Sequence, residues 1–190
     1  MDDKDANQLL EVVRQPPRSV PQHVRMGVKY FIDTEFIDRE QFIDLISLGV
    51  VSEDGREFYA ISTEFDPAHA NTFVRTVVIP QLEPPQHPAW MSRTEMKDRL
   101  VQFVGADEPR FWSYAGAPWD WMAIAQLFPL VERVPDGWLY TAYDVLLLIE
   151  SAGLRVDDPR LPPPPPDVHH ALADARWASE LHRAATRLLA

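Results

Sequence analysis

Residues 29–63 read KYFIDTEFIDREQFIDLISLGVVSEDGREFYAIST, and this stretch decides the fold. Three runs within it, residues 29–34, 42–51 and 56–63, are rich in the β-branched and aromatic residues that favour strands. The second and third runs are joined by Ser52-Glu53-Asp54-Gly55, which is typical of a tight turn. The stretch therefore predicts an antiparallel meander of three strands.

Beyond the meander the pattern changes to alternating helices and strands. Residues 110–115 (RFWSYA) predict a fourth strand, and breaks follow at Gly116-Ala117-Pro118 and at Gly153. The predicted helices cover residues 68–78, 93–104, 119–128, 141–152 and 170–189. Strands first, followed by alternating elements, predict a mixed α/β sheet flanked by helices.

The composition is that of a globular, acidic protein. The 190 residues contain 18 Lys and Arg against 29 Asp and Glu, which gives a formal net charge of −11, and 46% of them are hydrophobic. This balance excludes a disordered or collagen-like chain. It also disfavours a protein that grips duplex nucleic acid through surplus positive charge. The absence of cysteine excludes disulfides, thiol nucleophiles and cysteine-ligated zinc.

Targeting signals are not evident in the sequence. The chain begins Met1-Asp2-Asp3-Lys4-Asp5, which lacks the basic and apolar regions of a secretory signal. Apolar runs such as residues 145–149 (VLLLI) are far shorter than the ~18 residues of a membrane span. We therefore expect a cytoplasmic protein with no membrane partner.

The 18 prolines are clustered, and the clusters mark boundaries along the chain. Pro16, Pro17 and Pro21 close an N-terminal arm, predicted as residues 1–26, that is either flexible or contains one short helix at residues 9–13. Residues 27–190 are then predicted to form the functional domain. Residues 162–166 are five consecutive prolines, which predict a stiff, extended loop within that domain.

Asp33 and Glu35 lie two residues apart at the end of the first apolar strand. Because alternate residues of a strand share a face, both carboxylates project to one side and repel each other unless a cation lies between them. Hard oxygen ligands of this kind suit Mg²⁺ or Mn²⁺. The pair predicts a divalent metal site, with a solvated strand end as the alternative.

Three further residues lie where such a site would need them. Asp120 is in the first turn of the helix after the fourth strand, where it either binds metal or only complements the helix dipole. Asp174 is one turn into the last helix, among small and apolar residues that indicate a packed surface. His169 precedes that helix at the end of the proline segment, and it is either a base or a capping or surface residue.

In order and spacing, this set resembles that of the DEDDh 3′–5′ exonucleases, which include ribonuclease T, oligoribonuclease and the proofreading exonucleases. The set is Asp33-x-Glu35, Asp120 and His169-x4-Asp174. The stretches FIDTEFID, LISLGVVSEDGREFYAISTEFDP, FWSYAGAPWDWMAIAQLF and DVHHALADAR are most similar to the polyadenylate-specific 3′-exoribonucleases of this group. The resemblance runs from Tyr30 to the end of the last helix and implies a ribonuclease-H-like fold, with residues 27–190 as the exonuclease domain.

The resemblance also implies roles for the acids. Asp33 would bridge two divalent metal ions, and Glu35 would complete one of them near the terminal 3′-hydroxyl. Asp120 and Asp174 would hold the ions directly or through water. The implied cofactor is Mg²⁺ or Mn²⁺, with two ions per active site.

His169 would be the general base that takes a proton from the attacking water. The His-x4-Asp spacing of the family favours it over His170, and an ordinary histidine pKa of ~6.5 suits proton transfer at neutral pH. The implied substrate is the 3′ end of single-stranded RNA, and the product is a nucleoside 5′-monophosphate. The family also implies a homodimer.

An exonuclease must hold a frayed end, and single-stranded bases stack on aromatic side chains. Phe36 directly follows the acidic pair, and Trp119 and Trp121 flank Asp120. Core packing is the alternative for all three aromatic residues. We predict substrate contacts at Thr34, Phe36 and Trp119, although the Ala117-Pro118-Trp119 approach to Asp120 departs from the family pattern.

Other aromatic and basic residues are less strongly indicated as parts of the site. Trp112 and Tyr114 lie in the fourth predicted strand, where we expect them to pack in the core. Arg75, Arg93 and Arg176 are candidates for a basic rim, with a solvated surface as the alternative.

Three alternative functions stay open. A 3′–5′ exodeoxyribonuclease would share these features, because a contact to the 2′-hydroxyl is what distinguishes RNA from DNA. A haloacid-dehalogenase-like phosphatase prefers an aspartate at the position of Glu35 and a downstream lysine, for which Lys97 is the candidate. A catalytically silent RNA- or protein-binding module would leave a gap in the ligand set, whereas the set here is complete.

Overall fold

The computed structural model describes residues 27–130 and 133–189 and contains a six-stranded sheet flanked by helices. The strands are β1 (Lys29–Asp38), β2 (Ile43–Ser52), β3 (Glu57–Ser62), β4 (Trp90–Met91), β5 (Arg110–Ser113) and β6 (Tyr143–Asp144). Their order across the sheet is β4-β3-β2-β1-β5-β6. Strands β1, β2 and β3 pair antiparallel, whereas β4, β5 and β6 join through parallel pairs. The prediction of a mixed α/β sheet built on a meander is confirmed.

Four helices cover the two faces of this sheet. They are α1 (Arg93–Val104), α2 (Ala117–Ala125), α3 (Val145–Ser151) and α4 (Ala171–Leu189). Ser92 and Asp144 cap α1 and α3 by accepting backbone N–H groups of the first turn. Within the described part of the chain, no helix is both long enough and apolar enough to cross a membrane.

Strand β2 lies at the centre of the core, and all ten of its residues are buried. Neighbouring residues of a strand point to opposite faces. Accordingly, Tyr30 packs on the face covered by α1 and α2, whereas Phe31 packs on the face covered by α3 and α4. Asp33 and Glu35 follow Phe31 at intervals of two, so the same alternation directs them to the α4 side.

Helix α4 makes a close approach to the sheet at Gly49 of β2. A Cβ atom at Gly49 would lie 2.3 Å from the carbonyl oxygen of Ala171 and 2.5 Å from Cα of Leu172. Only glycine leaves room for this backbone contact. Because Gly49 is the partner of Asp33 in the β1–β2 register, the contact sets how far the start of α4 lies from Asp33.

The helix expected over residues 68–78 is not a regular α-helix. A 3₁₀ turn at Pro67–His69, a wide π turn at Val74–Val78 and a second 3₁₀ turn at Ile79–Gln81 take its place. Pro80 has no N–H to donate to a preceding carbonyl, so an α-helical ladder cannot continue through it.

Several other boundaries differ from the prediction. Strand β1 continues to Asp38, with an irregularity in its pairing between Glu35 and Phe36. The strand expected at 110–115 ends at Ser113, and the helix expected over 119–128 covers Ala117–Ala125. The helix expected over 141–152 begins at Val145, because the preceding two residues form β6. Two-residue strands such as β4 and β6 carry no periodicity that a sequence pattern could reveal.

The predicted N-terminal arm, residues 1–26, lies outside the described residues, and so does its short helix. Its boundary with the domain at 27–190 stays a prediction.

Candidate active site

One cleft of about 330 Å³ brings together acids that are distant in the sequence. Asp33 and Glu35 reach it from β1, Asp120 from the first turn of α2, and Asp174 from the first turn of α4. His169 borders the same cleft. The structure thus places together all five residues that the sequence singled out, while their catalytic roles stay predictions.

The environment of these carboxylates opposes their ionisation. Burial, followed by the charges of Asp120, Glu35 and Asp174, raises the pKa of Asp33 well above its usual range. Burial, with Asp174 and then Asp120, raises the pKa of Glu35 to about 8. Burial also raises the pKa of Asp174, and the backbone N–H of His169 partly opposes this shift. Clustered acids with raised pKa values are typical of functional sites.

Two carboxylate oxygens in the cleft are buried and have no hydrogen-bond donor among the described residues, namely Asp33 Oδ2 and Asp174 Oδ1. A buried carboxylate oxygen without a donor is costly unless a cation binds it. In addition, ligand atoms of Glu35, His169 and Asp174 all lie within 4.8 Å of one another. This oxygen-rich donor set fits a hard divalent cation.

Asp120 is held differently from the other acids. Its Oδ1 accepts the backbone N–H of Thr34 at 2.9 Å and the Thr34 hydroxyl at 2.6 Å, and its Oδ2 accepts the hydroxyl of Ser113. Burial raises the pKa of Asp120 to about 6, against the lowering effect of these donors. The carboxylate therefore ties α2 to β1 and β5 in a fixed orientation.

This network changes the role expected of Thr34. Thr34 lines the cleft, but its side chain is buried and its hydroxyl is engaged with Asp120 rather than free for a substrate. Gly116, just before α2, leaves the space that Asp120 needs, because a Cβ there would lie 2.8 Å from Asp120 Oδ2.

His169 is held at the cleft mainly through its backbone. Its φ of +72° lies in the left-handed region that residues with a side chain rarely adopt. Its N–H donates to Asp174 Oδ2 at 2.7 Å, and Gln81 Nε2 donates to the carbonyl of the preceding Val168 at 2.9 Å. Strained backbone of this kind is concentrated at functional sites.

The imidazole of His169 lies between an acid and an aromatic ring. Its Nδ1 is 4.0 Å from Glu35 Oε1. The ring of Phe73 meets it edge to face, with 4.8 Å between ring centroids. His170 instead stacks on Tyr59, and its Nδ1 accepts the N–H of Ala173. Of the two histidines, it is His169 that the structure places at the cleft.

The proline run positions this histidine. Residues 162–165 contain no helix or strand, as predicted, and they lie beside α4. Trp177 Nε1 of α4 donates to the carbonyl of Pro162 at 3.1 Å, and Leu161 is buried in the core beneath α4. The stiff segment is thus anchored at its start and leads the chain to Val168 and His169 at the cleft.

Aromatic side chains form part of the cleft wall. Phe36 is half-buried between the cleft and the core, and Trp119 lies at the rim with 59% of its surface exposed. Tyr114, expected to pack in the core, is half-buried: it lines the cleft and packs on Trp177. Trp121 is buried in the core against Phe111, so for this residue the core-packing alternative holds and not stacking on a base.

The predicted basic rim is not observed among the residues that line the cleft. The three arginines are each engaged elsewhere: Arg75 donates to the carbonyl of Ala70, Arg93 pairs with buried Asp44, and Arg176 pairs with Glu57. Lys97, which a phosphatase would need, pairs with Asp98 on α1 and does not border the cleft.

Sequence reasoning missed Ser113, Phe73 and Trp177. Ser113 ends a strand, Phe73 precedes an irregular turn, and Trp177 lies on an amphipathic helix, so none of them stands out by spacing. Only the position of Ser113, at the end of the strand before Asp120, offered a signal.

Comparison with known proteins identifies the family. Residues 28–186 match the family model described as the 3′-5′ exoribonuclease Rv2179c-like domain. Two relatives from Mycobacterium tuberculosis, 3′-5′ exoribonuclease Rv2179c of strain ATCC 25618 / H37Rv and 3′-5′ exoribonuclease MT2234.1 of strain CDC 1551 / Oshkosh, are each 44% identical over 152 residues. Each match covers 78% of this chain and 88% of the relative.

Solved structures support the fold. An exonuclease I structure superimposes with a TM-score of 0.59 at 13% identity, covering 86% of this chain and 42% of that protein. Escherichia coli exonuclease I in complex with a dT13 oligonucleotide gives 0.55 at 12% identity, covering 85% and 41%. The chain spans less than half the length of these proteins, and the likeness supports the ribonuclease-H-like sheet alone. Because the family model covers most of the sequence and both relatives match over most of their length, the chain belongs to the Rv2179c-like family of 3′–5′ exoribonuclease domains.

Proposed function

We propose that the protein is a metal-dependent 3′–5′ exoribonuclease that shortens single-stranded RNA and releases nucleoside 5′-monophosphates. Membership of the family supports hydrolysis of RNA from its 3′ end as the class of reaction. The observation that carries the chemistry is the gathering of four carboxylates and His169 around one cleft.

Asp33, Glu35, Asp120 and Asp174 would hold two Mg²⁺ or Mn²⁺ ions, since four negative charges balance two divalent cations. Such ions, when bound, activate water and neutralise the charge that develops on the reacting phosphate. The unpartnered oxygens of Asp33 and Asp174 support direct binding. The firm anchoring of Asp120 by Thr34 and Ser113 supports a fixed geometry for the set.

Hydrolysis forms a bond from the water oxygen to the terminal phosphorus and breaks the bond from phosphorus to the 3′-oxygen of the preceding nucleotide. His169 accepts the proton that the water loses. The imidazole is 43% exposed, so it can pass that proton to solvent. The leaving 3′-oxygen gains a proton from solvent, which leaves a nucleoside 5′-monophosphate and an RNA shorter by one residue.

The terminal base would be held by stacking rather than by charge. Phe36 and Trp119 line the cleft, and most of the Trp119 side chain is exposed at the rim. Base stacking on an aromatic ring stabilises binding by about 1–3 kcal/mol and tolerates any base. This arrangement suits a frayed single-stranded end.

Finer properties follow from the resemblance of the sequence motifs. We extend the proposal on that basis to polyadenylate as a preferred substrate and to a homodimeric assembly, and, separately from the resemblance, to a cytoplasmic location. Degradation of oligo(A) compared with oligo(C) and oligo(U) tests the first, and sedimentation equilibrium tests the second.

The central test measures shortening of a 5′-labelled oligoribonucleotide in the presence of Mg²⁺ or Mn²⁺. The wild-type protein should produce a ladder of shorter labelled RNAs and free 5′-monophosphates, and EDTA should abolish both. Asp33→Asn should remove the activity. Asp98→Asn is the matched control, since Asp98 is an exposed acid on α1 and should leave the rate unchanged. A fully active Asp33→Asn enzyme would overturn the proposal.

A second candidate is a 3′–5′ exodeoxyribonuclease, because the structurally similar exonuclease I has been solved with DNA oligonucleotides. The same assay with a 2′-deoxy oligonucleotide of identical sequence separates the two. Faster cleavage of the DNA would replace RNA as the proposed substrate.

A further inference from the structure

A groove leads away from the active-site cleft along α4. Three further clefts follow the active-site cleft along the helix, and each cleft shares at least one lining side chain with the next. Counting the active-site cleft as the first, Trp177 lines the first and second clefts, Glu180 lines the second and third, and Arg183 and Arg187 line the third and fourth. Intervals of three and four residues place these side chains on one face of a helix. We call this feature the α4 groove.

The proline run forms the opposite wall of the first half of the α4 groove. Pro163 and Pro165 line the second cleft, and Pro162 lines the third. The hydrogen bond from Trp177 to the carbonyl of Pro162 fixes this wall against the helix. Because an extended proline segment is stiff, this half of the groove is built into the fold rather than formed by mobile side chains.

The far end of the groove carries two exposed arginines with no carboxylate partner in the described parts of the chain. Arg183 donates to the Ser179 hydroxyl at 2.8 Å, and Arg187 donates to the carbonyl of Arg183 at 3.2 Å. Like charges one helical turn apart destabilise a helix unless an anion lies between them. Other arginines beside the groove are neutralised, Arg160 by Asp158 and Arg176 by Glu57.

A pair of arginines without an ion-pair partner suits a phosphate group. The guanidinium fork matches the geometry of phosphate oxygens, and the pair stands out in a chain with a net charge of −11. We propose that the α4 groove binds the sugar–phosphate backbone of single-stranded RNA upstream of the end held in the cleft, with Arg183 and Arg187 contacting phosphates. This inference rests on the proposed exoribonuclease function.

The positions of Arg183 and Arg187 along α4 determine how long an RNA must be to contact them. At 1.5 Å of rise per residue, Arg183 and Arg187 lie about 14 and 20 Å along α4 from Asp174. A trinucleotide with its 3′ end in the cleft is too short to reach both arginines, whereas a dodecamer spans the distance. The two arginines therefore act together only on long substrates.

The experiment compares Arg183→Ala/Arg187→Ala with the wild-type protein on 5′-labelled oligo(A) trimers and dodecamers. For the dodecamer, KM should rise in the variant and depend less on salt. Two lost phosphate contacts lower the log–log salt slope by about 1.4 for single strands, so the variant-to-wild-type KM ratio should shrink about sevenfold between about 50 and 200 mM salt. The kcat for both substrates should not change, and the KM for the trimer should rise much less than the KM for the dodecamer.

Arg99→Ala/Arg155→Ala is the charge-matched control. Both arginines lie in exposed ion pairs, with Glu95 and Asp157, and neither borders the α4 groove. This control should behave as wild type on both substrates. Equal dodecamer KM values in the wild type and the Arg183/Arg187 variant would overturn the inference. A wild-type protein that cleaves neither RNA would instead overturn the proposed function itself.

Discussion

Gly49→Ala should impair catalysis through the backbone that carries Asp174 and His169, although Gly49 itself bears no reactive group. The first turn of α4 lies directly over this glycine, which pairs with Asp33 in the sheet. An alanine Cβ would lie 2.3 Å from the carbonyl oxygen of Ala171. The contacting atoms belong to the backbone, so no side-chain rotation can relieve the overlap.

The overlap gives the size of the effect. Ordinary contact begins at 3.4 Å, so the start of α4 must move away from β2 by about 1 Å. Overpacking of this kind costs about 1–3 kcal/mol, which lowers Tm by about 2–12 °C for a chain of this size. A displacement of about 1 Å in a reacting group costs about 100-fold in rate. We therefore expect a folded protein with kcat reduced about 100-fold and weakened metal binding.

Initial rates on a labelled oligoribonucleotide at saturating Mg²⁺, together with thermal melts in the same buffer, test this expectation. Gly55→Ala is the control, because Gly55 lies in the β2–β3 turn at φ +89° with no atom within 4 Å. Alanine there costs about 1–2 kcal/mol of backbone strain without touching the site. An unimpaired kcat in Gly49→Ala would refute the view that this contact seats Asp174 and His169, and equal kcat losses in both variants would attribute the effect to stability.

Two further predictions concern the acids. In metal-free protein, the free energy of unfolding should fall as pH rises from 6.5 to 8. Folding raises the pKa of Asp33 well above its usual range and that of Glu35 from 4.5 to about 8, so the folded state keeps protons that the unfolded chain has lost. His182, whose pKa is lowered to about 4, opposes this trend only below its ordinary pKa of 6.5. Thermal melts in EDTA should therefore show, between pH 6.5 and 8, a shallower fall of stability with pH for Glu35→Gln than for the wild type, because Glu35 no longer contributes. Identical slopes would contradict the raised pKa of Glu35. Ser113→Ala should weaken Mn²⁺ binding about 10- to 100-fold in calorimetric titrations, because Asp120 loses a hydrogen-bond donor. The control Ser151→Ala removes an exposed hydroxyl and should leave Mn²⁺ binding unchanged. An unchanged Kd in Ser113→Ala would count against a role of Ser113 in positioning Asp120.

The parts of the fold that local pattern predicts are those where one interaction dominates. Strands β1 to β3 follow from apolar alternation and a tight turn, and the shared face of Asp33 and Glu35 follows from the period of a strand. Asp120 sits in the first turn of α2, whose start is marked by a glycine and a proline, and Asp174 sits in the first turn of the amphipathic α4. These features depend on a few neighbouring residues, so a single sequence contains the information.

The parts that resisted prediction depend on contacts between distant segments. The engagement of Thr34 and Ser113 with Asp120 joins two strands and a helix. The contact of Phe73, just before the wide turn at Val74–Val78, with His169 joins two segments that lie far apart in the sequence. The burial of Trp121 could not be predicted from the local sequence either. Its neighbour Trp119 lies in the same sequence context but is exposed, and only the packing of α2 on the sheet separates the two.

The electrostatics of the cleft link metal loading to substrate binding. Four carboxylates line it, and no lysine or arginine does so within the described residues. A phosphodiester that approaches this cleft is repelled while the acids are ionised and unneutralised, and the acidic chain as a whole adds to that repulsion. In the metal-free protein, protons relieve the repulsion among the acids up to neutral pH, as the raised pKa values of Asp33 and Glu35 indicate. A divalent cation that displaces these protons would neutralise the acids in their place, so we expect cation binding to be a condition for admitting the RNA end as well as for cleaving it.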